Sequence, residues 1–182
     1  YEMGEVEGRP FIVMDLVEGR PLWASRRKKK RDLVSIVVNL ARTLQYAHEN
    51  GLVHRDIKPS NILIGKDGLP VLVDFGLART IGRDERVTVT GAIFGTPAYM
   101  SPEQAGGTPG EVDARSDLYS LGVVLYELLG GRLPHEGSTP YEITQAILHE
   151  DPPRLTSLNP KIPAELEAIT FKAMARSRKA RY

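Results

Sequence analysis

Apolar residues recur along this chain with two spacings, and the switch between them sets out its elements. In "LVSIVVNLARTLQYAHENG", Leu33, Ile36, Val37, Leu40, Ala41, Leu44 and Ala47 fall three or four apart. That spacing predicts an amphipathic helix, with Asp32 as N-cap and Asn50-Gly51 as stop signal. "SDLYSLGVVLYELLGG" is apolar on almost every side, so it predicts a buried central helix ending at Gly130-Gly131. "STPYEITQAILHE" opens with a capping box, Thr139 as cap, Pro140 at the first helical position and Glu142 reaching back. "PAELEAITFKAMA" predicts a last amphipathic helix. The opening "YEMGEVEGRPFIVMDLVEG" reads instead as a strand, a turn at Gly8-Arg9-Pro10, and the strand "FIVMDLV". "ILIGKDGLPVLVDFG" reads as a hairpin turning at Lys66-Asp67-Gly68. From Leu77 to Gly110 no period holds, and a connection that long inside a compact domain is expected to be functional or disordered.

The chain has 182 residues, the length of one domain, with 24 basic against 23 acidic side chains and a formal charge of +1. That balance gives no reason to expect nucleic acid or an anionic membrane as partner. The absence of Cys excludes disulfides, thiolate metal sites and cysteine nucleophiles. It fits a reducing compartment, and the expected location is cytoplasmic. No apolar run is long enough to span a bilayer, and no signal-peptide pattern opens the chain. A membrane anchor beyond Tyr182 is left open. "RRKKKR", Arg26 to Arg31, is expected to be a solvated loop or helix end, with a docking patch for an acidic partner as the alternative.

The polar chemistry is concentrated in "HRDIKPSN", residues 54 to 61, directly after the first helix. Asp74-Phe75-Gly76 follows beyond the hairpin, and "GTPAYMSPE", Gly95 to Glu103, lies further on. In this order the segments resemble the catalytic loop, metal-binding triplet and substrate-positioning segment of protein kinases, with Ser101 where the family's Ala-Pro-Glu motif has Ala. The resemblance is nearest to bacterial Ser/Thr kinases of the eukaryotic-like type and covers essentially the whole chain. It implies an α+β fold: residues 1–19 as a remnant of the N-terminal lobe, two strands and a hinge, and residues 20–182 as the helical C-terminal lobe. Small-molecule kinases share a His-x-Asp loop but lack the "GTPAYMSPE" segment.

The resemblance also implies roles. Asp56 would accept the substrate hydroxyl's proton, Lys58 would lie against the γ-phosphate of ATP, and Asn61 and Asp74 offer hard oxygen ligands for Mg²⁺ or Mn²⁺. Lys58 in Asp-x-Lys-Pro-x-x-Asn, and Thr96 bridging Asp56 and Lys58, mark protein substrates carrying Ser or Thr. Met14 would be the gatekeeper of the adenine slot, with the Asp15 carbonyl and Val17 amide meeting the base and Leu63 closing the slot from below. His54 and Phe75 would stack on an anchor, Asp117, and Glu103 and Arg181 would form a buried ion pair. Arg55 marks switching by activation-loop phosphorylation, with Thr88 and Thr90 as the phosphorylated doublet. The competing reading is that these are ordinary loop threonines.

One departure matters. No G-x-G-x-x-G loop and no "VAIK"-like strand Lys occurs in these residues. The expectation is therefore a Ser/Thr kinase present as a truncated domain with little activity alone. The alternative is a non-catalytic kinase-like scaffold. The two opening strands, short of sheet partners, are expected to pair with another copy.

Overall fold

A computed structural model describes residues 2–6, 9–25, 29–75 and 97–182. Helices dominate after residue 29 and a small sheet is set among them, the α+β class expected. β1 (Glu2–Val6) and β2 (Arg9–Val13) form an antiparallel hairpin in which Val6 pairs with Arg9 and Glu2 with Val13. The ladder ends at Val13, so "MDLV" is not strand, and Arg9 and Pro10 belong to β2 rather than to the turn.

α1 (Lys30–Glu49) buries Leu33, Ile36, Val37, Leu40, Leu44 and Ala47 along one face, the stripe that the spacing predicts. It starts earlier than expected. The Lys29 carbonyl already accepts from the Asp32 and Leu33 amides, so Lys29 is the cap and Asp32 an acid in the first turn, where the helix dipole favours it. β4 (Ile62–Gly65) and β5 (Pro70–Leu72) form the expected hairpin, and β3 (Gly19–Pro21), which the pattern does not reveal, pairs with the outer edge of β4. β3 straddles the expected boundary at residue 19.

α2 (Pro102–Ala105) is a single turn, and α3 (Ala114–Gly130) is the central helix. Its length from Ser116 to Leu129 is buried on nearly all sides, as its composition requires. Asp113 caps it by accepting from the Arg115 amide, and Gly131 ends it at φ 77°. α4 (Pro140–His149) is capped by Thr139, but Glu142 reaches one residue past the cap, to the Ser138 amide. α5 (Leu155–Leu158) and α6 (Ala164–Ala173) close the bundle. The core runs from Leu22 and the inner face of α1 through Ile57, Ile62 and Leu72 to Val123, Val124, Tyr126, Ile147 and Leu155.

Candidate active site

Between the end of α1 and the short 3₁₀ turn at Pro59–Asn61 the backbone makes few bonds of its own, and side chains hold much of it. Asp117, fully buried in the first turn of α3, does much of this. Its carboxylate accepts from the His54 amide at 2.8 Å, the Arg55 amide at 2.7 Å and His48 Nε2 at 2.8 Å. Burial pushes this carboxyl above the usual carboxylate range, and its donors offset only part of that rise.

His54 is buried and uses both ring nitrogens. Nδ1 accepts from the Asp56 amide at 3.2 Å, and Nε2 lies 3.0 Å from the Val73 carbonyl. The tautomer protonated on Nε2 satisfies both contacts. The ring packs on Phe75 with centroids 4.6 Å apart. His54 thus joins the loop to the end of β5 and has no nitrogen left to act as a base.

This scaffold brings three of the expected side chains together. Lys58 Nζ donates to Asp56 Oδ2 at 2.7 Å, and Asn61 Nδ2 donates to the same oxygen at 3.0 Å and to the Asp56 carbonyl at 2.9 Å. The Asp56 carboxylate remains 56% exposed. Asp74 is reached through the backbone: the Val73 amide donates to the Asn61 carbonyl at 2.9 Å, which lays the end of β5 beside Asn61. Arg55 and Asp74 are the described non-glycine residues with left-handed backbones, at φ 70° and 62°. Such conformations persist only where their surroundings enforce them, and they gather at functional sites. Among the described residues no cluster of His, Cys, Asp and Glu could hold a metal alone. Asn61 and Asp74 offer a carboxamide and a carboxylate oxygen, hard donors that suit Mg²⁺ when phosphate oxygens and water complete the set.

Behind the site lies the Glu103–Arg181 pair, with contacts of 2.7 and 2.9 Å in the parallel fork of a bidentate bond. Both side chains are buried. The Arg181 guanidinium also donates to the carbonyls of Ala175, Arg115 and Arg176, and the Ser116 hydroxyl donates to Glu103 at 2.6 Å. Burial raises the Glu103 carboxyl, but its hydrogen bonds to Arg181, Ser116 and the backbone, with the Arg181 charge, leave it below its ordinary value. Arg55 carries a buried Nε with no hydrogen-bond partner among the described residues.

Met14 and Asp15 are exposed and Val17 half-buried, between β2 and β3. Leu63 is half-buried in β4, opposite Pro21 and Val71. Thr96, Thr88 and Thr90 lie outside the described residues. Two contributors were not foreseen. His48 stands one turn after Leu44, on the margin of the buried stripe, which is the signal that could have found it. Gln104 sits in Ser101-Pro-Glu-Gln104, the spacing of a capping box, and donates to the Arg55 carbonyl at 2.7 Å.

The sequence model for the protein kinase domain matches residues 1–181. The chain belongs to the protein kinase family. It is 39% identical over 190 residues to the serine/threonine-protein kinase PknB of Mycobacterium leprae, covering 100% of this chain and 30% of the relative. It is 40% identical over 178 residues to a probable serine/threonine-protein kinase of Streptomyces coelicolor, SCO3848, covering 95% of this chain and 26% of the relative. A probable PknB of Lactococcus lactis is 34% identical over 185 residues, covering 100% of this chain and 29% of the relative. The chain therefore spans less than a third of the length of these relatives. ATP and a divalent metal are used throughout the family. Among the described residues no helix is long and apolar enough to cross a membrane.

Proposed function

We propose that this chain carries the phosphoryl-transfer machinery of a Ser/Thr protein kinase, acting with ATP and Mg²⁺ on the cytoplasmic side, where both are supplied. The convergence of Lys58 and Asn61 on the exposed carboxylate of Asp56 carries this reading. Asp56 accepts the proton of a Ser or Thr hydroxyl and orients its oxygen towards the γ-phosphate. Lys58 stands beside it as a point charge for the transferring phosphoryl oxygens. Asn61 and Asp74 would hold Mg²⁺, which supplies charge neutralisation when bound. Met14, Asp15, Val17 and Leu63 would form the adenine side of the cleft. In a form of the protein that transfers phosphate, Asp56→Asn is expected to lower transfer to a Ser/Thr peptide by about a hundredfold or more, and undiminished transfer would overturn the assignment.

Residues 1–182 contain no strand Lys for the α- and β-phosphates, so the chain alone is expected to transfer little. A noncatalytic scaffold has no need to gather Lys58 and Asn61 on an exposed Asp56, which weighs against that reading. The Nε of Arg55, without a hydrogen-bond partner among the described residues, supports control by a phosphate on Thr88 or Thr90, since a buried guanidinium nitrogen calls for an acceptor. The combined Thr88→Ala and Thr90→Ala variant should lose activity, and full activity in it would remove the proposal.

A further inference from the structure

Gln104 ties the segment leading into α2 to the peptide that carries Asp56. Its amide has one allowed orientation. Oε1 accepts from the Ser101 amide at 3.0 Å and the Ser101 hydroxyl at 3.1 Å, and a flipped amide would set its NH₂ against the Ser101 N–H. Nε2 is therefore turned to the Arg55 carbonyl, to which it donates at 2.7 Å. That carbonyl shares its peptide with the Asp56 amide, which donates to His54 Nδ1. Arg55 sits at φ 70°, and its own amide is held by Asp117. The strained residue is thus gripped on its N–H by α3 and on its carbonyl by α2. The fully buried Ser101 stands where the family motif has Ala, and its hydroxyl is one of the two groups that orient the Gln104 amide.

We propose that Gln104 is a positioning residue for phosphoryl transfer: by holding the Arg55–Asp56 peptide it sets the aim of the Asp56 carboxylate and couples that aim to the position of residues 97–105. The inference rests on Asp56 being the catalytic base. Without Gln104, Arg55 keeps one of its two restraints and its backbone can relax from the left-handed region.

Gln104→Met keeps the length of the side chain and removes both polar ends, and Ser101→Ala removes only one of the groups that fix the amide. In NMR spectra of the 182-residue chain, Gln104→Met should move the Arg55 carbonyl ¹³C resonance upfield and speed exchange of the Asp56 amide about tenfold. The Leu44 and Tyr126 amides should not change, and Ser101→Ala should show a smaller effect at the same places. In a form of the protein that transfers phosphate to a peptide, Gln104→Met should lower kcat about tenfold with KM for ATP and peptide within about twofold. An unmoved Arg55 carbonyl with unchanged kcat overturns the proposal. So does faster exchange at Leu44 and Tyr126 as well, which would mark a general loss of stability. Asp56→Asn separates the two readings. If it retains transfer, the site assignment fails; if it abolishes transfer while Gln104→Met is silent, only the positioning role fails.

Discussion

Glu103 and Arg181 show how much one pair of side chains can decide. Each guanidinium nitrogen is hydrogen-bonded, and the carboxylate has Ser116 as a further donor, so the cost of burying both charges is met by a complete set of partners. Removing either partner strands the other. Glu103→Ala or Arg181→Met should therefore destabilise the fold by about 3–5 kcal/mol in urea unfolding. Exchanging both for apolar residues of similar volume should cost far less. The pair also sets a pH dependence. A carboxyl held below its unfolded-state pKa binds fewer protons when folded, so its contribution is present above the ordinary Glu pKa and lost as pH falls through the lowered one. Thermal melts should show acid destabilisation that Glu103→Gln reduces. Asp117 has a different vulnerability, because its two oxygens serve the amides of both His54 and Arg55. Asp117→Asn replaces one acceptor with a donor and leaves a buried N–H unmatched. The expected loss is about 1–3 kcal/mol, read by denaturation, together with reduced transfer.

Among the elements, α3 is the axis on which the site is hung, carrying Asp117 and Ser116 in its first turn and packing on α6 further along. The crossing is close because Gly122 has no side chain. A Cβ there would stand 2.8 Å from Met174 Cγ and 3.0 Å from Ala173 Cβ. Gly122→Ala should overpack this crossing and cost about 1–3 kcal/mol. Gly131→Ala meets no atom of the described residues within 4 Å, yet its φ of 77° is strained for any residue with a Cβ, so it should cost about 1 kcal/mol for a conformational reason. A double variant should be additive, since the two costs arise from unrelated causes; calorimetry on the four proteins checks this. Helices of this kind were legible in the sequence because their burial follows a period of 3.6, as Leu33 to Ala47 show. β3 was not, since a three-residue strand with no alternation is defined by its partner β4 rather than by its own pattern.

Over the whole molecule, the side chains of the candidate site were legible because Asp56, Lys58 and Asn61 stand at a short spacing within one motif, and the fold brings all three together. What holds them was less so. His48 and Gln104 reach the site across 69 and 49 residues of chain, to Asp117 and to the Arg55 carbonyl, and no local pattern encodes such a contact. The β1–β2 hairpin poses the opposite question, of what its own pattern leaves uncovered. Its pairing, Glu2 with Val13, Gly4 with Phe11 and Val6 with Arg9, sets Val6, Phe11 and Val13 on one face, and all three are exposed. A Cβ at Gly4 would collide with the Phe11 ring, so the ring lies across the strand and makes the face more continuous. Three exposed apolar side chains on one hairpin face, with Glu2 and Arg9 at the same register, favour a partner, and in a solution of this chain alone the available partner is a second copy. Sedimentation of the 182-residue chain should show mass rising with concentration. Phe11→Lys with Val13→Lys should abolish the rise while leaving the fold of α1 to α6 intact by circular dichroism. A monomer at every concentration would show that this face does not pair.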